Sequence, residues 1–223
     1  MQKSLVLGML GKRGCGKDTA AERLTERYGF IRLAFADELK KEVAEHYDVS
    51  VDLFNDRDLK ETPLVALNPW RNALCKRPVL WLLTAALFDG VWRFGAQSPR
   101  QVMQDWGMRR RTQDGADYWV RKVEQIIALA PGRYVISDVR LPNERDWIKS
   151  LEGVTIRVTR PALEAQRKLE GSDSHYSEVA LDDYIADHTL VNHENQVEKL
   201  LYDMDAVARD LLSEGCIQMP VAR

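Results

Sequence analysis

The chain has 223 residues, with 32 Lys and Arg against 34 Asp and Glu and a net charge of −2. So even a balance excludes a general electrostatic affinity for polymeric nucleic acid, which needs a basic face or stripe. The cysteines, Cys15, Cys75 and Cys216, are too few and too scattered for a disulfide framework or a zinc cluster. A reducing cytoplasm is the expected compartment. No run is long and apolar enough to span a membrane, and the N-terminus enters a strand without a signal-peptide pattern. The length suits one substantial α/β domain with insertions, and no repeat or low-complexity segment is visible.

The first predicted element is a strand over Ser4–Leu10, followed by Gly11-Lys12-Arg13-Gly14-Cys15-Gly16-Lys17-Asp18-Thr19 and a helix over Asp18–Tyr28. Strand, glycine-rich loop and helix in that order form the context of a phosphate-binding loop. Glycines allow successive backbone N–H groups to converge on one anion, and the helix N-terminus adds its dipole. Lys17 supplies an ammonium to the β- and γ-phosphates. Where Ser or Thr usually follows the lysine, this chain has Asp18 and then Thr19. Either offers oxygen to Mg²⁺, a hard cation. Cys15 is read first as a small residue that fits the loop and second as a reactive thiolate.

A short strand over Phe30–Ala34 and a helix over Ala36–Tyr47 come next, the latter with Leu39, Val43 and Tyr47 at helical spacing. Ser50–Pro69 reads as polar and irregular, and Pro78–Phe88 as an apolar helix. Ser98 is an N-cap and Pro99 a first helical residue, starting a helix predicted to stop at Gly107. A basic turn, Arg109-Arg110-Arg111, precedes a helix over Tyr118–Ala130.

The second half alternates strands at Tyr134–Ser137, Thr155–Val158 and His188–Val191 with helices at Glu144–Leu151, Leu163–Glu170 and Asn195–Leu212. A polar link spans Gly171–Ser177. This alternation predicts a mostly parallel sheet covered on both faces, with ligands outside the carboxyl ends of its strands. The chemically informative residues fall there: the glycine loop, Asp138 and Arg140, Arg160, and Asn192.

Asp138 can hold Mg²⁺ through water, or it can cap a helix or pair with Arg140. Arg140 is a fork suited to phosphate oxygens. Arg100, Gln104 and Trp106, with the arginines at 109–111, combine what a phosphate and a flat base require. Arg160 and Arg167 flank a stretch able to close over a transferring phosphoryl group. His175 reads as a residue fixing that flap, since an anionic acceptor needs no strong base. His188 and His193 read as structural or exposed.

Together the glycine loop, Phe35-Ala36-Asp37-Glu38-Leu39-Lys40, Ser98-Pro99-Arg100, Trp119-Val120, Ser137-Asp138-Val139-Arg140-Leu141-Pro142-Asn143-Glu144 and Ser174-His175-Tyr176-Ser177-Glu178 resemble the bacteriophage-type deoxynucleoside monophosphate kinases. The resemblance runs from about Leu5 to about Leu201 and accounts for Asp18, since that family uses Gly-Lys-Asp. It implies a P-loop NTPase three-layer sandwich with a mostly parallel sheet. A helical acceptor-binding insertion would span about 36–130 and a small lid about 160–178. It implies transfer of the ATP γ-phosphate to a deoxynucleoside 5′-monophosphate with Mg²⁺.

On that resemblance Gly11, Arg13, Gly14, Cys15, Gly16, Lys17, Asp18 and Thr19 bind ATP, and Asp18, Thr19 and Asp138 organise the metal. Lys17, Arg140, Arg160 and Arg167 act on the transferring group. Asp37, Lys40, Arg100, Gln104, Trp106, Arg111, Trp119 and Arg140 serve the acceptor. The spacing from Arg111 to Trp119 is one residue longer than the family pattern, which keeps Arg109 and Arg110 as alternatives to Arg111. The tryptophan-rich stretch with Trp70, Trp81 and Trp92 stays unassigned between pocket wall and dimer surface. Animal-type phosphomevalonate kinases carry a similar loop and strand end and form the alternative enzyme reading. A nucleotide switch without phosphoryl transfer is the non-enzymatic one.

Overall fold

A computed structural model describes residues 4–56, 58–68, 95–170, 180–194 and 196–213. The expected Pro78–Phe88 helix, Trp70, Trp81, Trp92, Cys75, Cys216, His175 and the Gly171–Ser177 link lie outside these. The chain divides into two compact units, one formed by Met1–Phe35 with Val120–Arg223 and the other by Ala36–Trp119.

The first unit is built on β1 (Leu5–Leu10), β2 (Ile31–Leu33), β3 (Arg133–Ile136), β4 (Val154–Thr159) and β5 (His188–Val191). They form one five-stranded sheet in the order β2-β3-β1-β4-β5, with every pairing parallel. β1 lies at the centre and is buried at all six positions, as a strand covered on both faces must be. Leu5, Leu7 and Met9 join Ala20, Ala21 and Leu24 of α1 (Lys17–Tyr28) and Leu200, Met204, Val207 and Ala208 of α8 (Val197–Ser213) in one core.

The alternate residues of β1 face α6 (Pro142–Ser150). A Cβ on Gly8 would come within 2.5 Å of the Ile148 side chain, so the glycine lets this helix lie close. Helices on both faces make this unit a three-layer α/β sandwich. α6 starts at Pro142, earlier than its pattern suggested. Pro142 takes the first helical position, where a missing N–H costs nothing. The Glu144 carboxylate accepts the amides of Arg140 at 2.8 Å and Leu141 at 3.0 Å.

α1 and α8 are also joined by charge. Asp205, 4% exposed, accepts from Arg23 at 2.9 and 2.8 Å and from Arg27. These bonds, the Arg23 fork foremost, hold its carboxyl down to about 2.

The second unit contains most of α2 (Phe35–Tyr47), the short α3 (Asp52–Asn55), a 3-10 turn at Val65–Leu67, and α4 (Pro99–Asp114). Ser50–Pro69 is therefore less irregular than its polarity suggested. α5 (Tyr118–Leu129) opens at the end of this unit and continues in the first. α4 starts with a capping box, Ser98 accepting from the Gln101 amide and Gln101 from the Ser98 amide. It does not stop at Gly107. The expected basic turn at 109–111 is helix, running to Asp114. Gly107 is buried inside this helix, where a Cβ would meet Leu39 of α2 at 3.4 Å. Its helix-propensity cost of about 1 kcal/mol is not enough to end the helix.

Glu42 of α2 is the polar centre of this unit. It accepts from Trp106 Nε1 at 2.8 Å, Arg110 Nε at 2.5 Å and Tyr118 Oη at 2.6 Å. Burial works against its ionisation, but the bonds from Tyr118, Trp106 and Arg110 outweigh it and leave the carboxyl below its ordinary range. Burial and then the Glu42 contact push the Tyr118 phenol up to about 12.

Two stability predictions follow from these carboxylates. Asp205→Asn should cost roughly 2 kcal/mol at neutral pH, because a folded-state pKa depressed by nearly two units is worth about that much. The stabilisation is complete above the unfolded carboxyl's range and is lost as pH falls toward about 2. Urea unfolding between pH 2 and 7 should therefore show a flatter acid limb in the variant. Glu42→Ala should cost about 2–3 kcal/mol, against about 1 kcal/mol for Tyr118→Phe, since the first removes three hydrogen bonds, one of them from the buried Trp106, and the second removes one. Denaturant midpoints would test that order.

Candidate functional site

Residues 11–16 leave the central strand and turn back over its carboxyl end. Gly11, Gly14 and Gly16 have φ of 137°, 80° and 108°, a region that strains residues with a Cβ. Space restricts two of them further. A Cβ on Gly11 would lie 2.3 Å from the Val158 carbonyl oxygen of β4, and one on Gly16 2.6 Å from Asn192 Nδ2. Gly14 has room, with Leu163 of α7 (Pro161–Glu170) as its neighbour at 3.5 Å. The loop is thus enclosed by the ends of β4 and β5 and the start of α7.

Within the loop, the Lys12 carbonyl accepts the Cys15 amide at 3.2 Å and the Lys17 ammonium at 3.3 Å. Lys17, 5% exposed, therefore curls back over the loop from the first position of α1, its charge held against the loop backbone. Lys12 pairs with Asp182 at 3.3 Å. Arg13 is exposed. Cys15 is wholly buried, and burial pushes its thiol up despite the neighbouring Lys17. It fills space in the loop, and the thiolate form is disfavoured.

Asp18 and Thr19 stand exposed in the first turn of α1, with Arg32 at 3.9 Å from Asp18. A carboxylate and a hydroxyl beside a phosphate loop are donors of the type a hard cation takes. Asp138 follows β3, and its Oδ1 accepts the amide of Phe35, the first residue of α2, at 2.9 Å. Sequence reasoning considered a cap on the helix following Asp138; the helix it serves is a different one, brought beside it by the pairing of β2 with β3. Arg140 is partly buried at the loop leading to α6, and Arg160 and Arg167 lie at the end of β4 and in α7.

The other candidates belong to the second unit. Asp37 pairs with Lys40 at 2.9 Å, and Arg100 with Glu61 at 2.5 Å. Gln104 is exposed on α4. Trp106 is buried, with its N–H given to Glu42, Arg109 4.1 Å above its ring and His46 at 4.4 Å. Arg110 binds Glu42 and Asp114, and Arg111 is half-buried on the same helix. Trp119 is 2% exposed, and its indole N–H meets no acceptor among the described residues. Sequence reasoning missed Glu42, Glu144 and Asp182. Only the Glu at the third position of α6 carried a readable signal, that of a capping acid.

No family model matches the chain. A protein of Acanthamoeba polyphaga mimivirus, provisionally named a deoxynucleotide monophosphate kinase, is 30% identical over 178 residues, 79% of this chain and 82% of the relative. Among solved structures, TT1252 from Thermus thermophilus aligns over 94% of this chain and 99% of its own at 20% identity and a TM-score of 0.43. A protein of Chloroflexus aurantiacus provisionally described as a kinase aligns over 96% and 97% at 13% identity and a TM-score of 0.42. With a glycine loop and its lysine at the end of the central strand of a parallel sheet, and a relative matched along most of both chains, this protein is a phosphotransferase that belongs to the deoxynucleotide monophosphate kinase family.

Proposed function

We propose that the enzyme transfers the γ-phosphate of ATP to a deoxynucleoside 5′-monophosphate, giving the diphosphate and ADP, in a Mg²⁺-dependent reaction. The observation that carries this reading is the curled loop of residues 11–16 with Lys17 folded over it, in a chain whose mimivirus relative bears the name of such a kinase. The loop amides and Lys17 bind the β- and γ-phosphates. Asp18 and Thr19, with Asp138 through water, would hold Mg²⁺, which supplies charge neutralisation at the phosphate oxygens.

Phosphoryl transfer asks little covalent chemistry of the protein, so rate comes from positioning and charge. Arg140, Arg160 and Arg167 supply fixed positive charge to the equatorial oxygens as their charge spreads. The acceptor phosphate is already anionic and needs no base. On the family resemblance Arg111 and Arg100 are the candidates to hold it, with Arg109 and Arg110 as the alternatives; Arg100 also meets Glu61, and Arg110 meets Glu42 and Asp114. Asp37, Lys40 and Gln104 complete the acceptor set. Trp106 and Trp119 contribute as buried support, since neither ring is exposed.

ADP release from Mg·ATP with dTMP, dGMP, dCMP, dAMP, their ribose counterparts and mevalonate 5-phosphate tests the proposal. Turnover with one or more deoxynucleotides is the expected outcome; turnover with mevalonate phosphate alone would refute it. Lys17→Ala and Arg140→Ala should each lower kcat by roughly a hundredfold or more while melting near the wild-type temperature. A variant with wild-type turnover would remove that residue from the site.

A further inference from the structure

We infer that Asn192 and Asp182 are positioning residues that set the shape of the phosphate loop from outside it, an inference that rests on the nucleotide reading of that loop. Asn192 follows β5 and is 6% exposed. Its Nδ2 donates to the Cys15 carbonyl at 2.8 Å across 177 residues of sequence. Its own amide donates to the Thr159 carbonyl of β4 at 2.8 Å, so the residue is fixed before it reaches the loop.

The consequence follows from peptide geometry. No cis peptide occurs among the described residues, and in a trans peptide the C=O and N–H point in opposite directions. Turning the Cys15 carbonyl toward Asn192 therefore turns the Gly16 N–H the other way. That amide belongs to the run of loop N–H groups leading into α1, whose convergence makes an anion site. The space left by Gly16 is the space Asn192 occupies, since a Cβ there would lie 2.6 Å from Nδ2. Glycine and asparagine thus form a matched pair.

Asp182 holds the opposite end of the loop. It reaches Lys12 at 3.3 Å, the residue whose carbonyl receives both the Cys15 amide and the Lys17 ammonium. Asp182 stands on a turn anchored to β4. Arg157 donates to the carbonyls of Leu181 at 2.5 Å and Tyr184 at 2.7 Å. The Tyr184 hydroxyl meets Thr155 at 3.2 Å, and Arg145 lies 4.6 Å over the Tyr184 ring. A turn tied down at so many points can act as a fixed post.

Calorimetric titration of wild type, Asn192→Ala, Asn192→Asp and Asp182→Asn with Mg·ATP and Mg·ADP tests this, alongside the deoxynucleoside monophosphate turned over fastest by wild type. Asn192→Ala should bind both adenine nucleotides about tenfold more weakly or worse, as loss of a buried hydrogen-bond partner implies. Its affinity for the monophosphate should stay within about twofold. Asn192→Asp keeps the volume but opposes a carboxylate to the carbonyl, and should be at least as impaired. Asp182→Asn, at an exposed position that tolerates change, should lose roughly two- to fivefold, the range of a partly exposed ion pair. If the Asn192 variants do not fold, Asp182→Asn alone decides. Nucleotide affinities unchanged in the folded variants, or monophosphate binding lost in equal proportion, would overturn the inference. Wild-type protein that binds no Mg·ATP would instead defeat the nucleotide reading itself.

Discussion

The backbone of residues 11–16 is the constraint around which the first unit is organised. It curls back over the end of the central strand through three glycines at positive φ. Such a path is unfavourable for a free chain, because glycine loses more conformational entropy on folding than any other residue. The surrounding structure opposes that loss. The Val158 carbonyl, Leu163, Asn192 and Leu200 all stand within van der Waals reach of where loop Cβ atoms would be. The central position of β1 brings β4, β5 and α8 near enough to supply them.

A second device recurs through both units: a carboxylate, buried in Asp205 and Glu144 and half-buried in Glu42, that gathers several donors. Asp205 joins α1 to α8, Glu42 joins α2 to α4 and Tyr118, and Glu144 closes the start of α6. Asp187, though exposed, also gathers donors for β4, accepting the Thr155 amide and hydroxyl, each at 2.7 Å, together with Lys149. Burying a charge is costly unless its lone pairs are met. These acids meet that condition with donors from different elements. Each therefore favours one relative placement of those elements over its neighbours, whatever its net contribution to stability.

The Glu42 cluster also changes how the arginine-rich helix is to be understood. Read as a turn, Arg109, Arg110 and Arg111 looked like equivalent candidates for one phosphate. In a continuous helix they point in different directions, about 100° apart per residue. Arg109 lies over Trp106, while Arg110 is bound by Glu42 and Asp114. The error came from treating Gly107 as a terminator. Glycine lowers helix propensity by only about 1 kcal/mol, which a helix of 16 residues with a capping box at its start absorbs.

The sequence by itself determined the strand–loop–helix at the start of the chain, the parallel alternation of the second half and the Ser98 cap. Each depends on residues within one or two turns of each other, so local periodicity and backbone preference carry the information. What only the tertiary structure decided were the partners of polar groups: Asn192 for the Cys15 carbonyl, Asp182 for Lys12, Asp205 for Arg23 and Asp138 for the Phe35 amide. These pairs lie 103 to 182 residues apart where two elements meet. A lone Asn or Asp in sequence is compatible with a cap, a ligand or a solvated surface. Which of these it becomes depends on the donor or acceptor that strand order and helix packing bring to it.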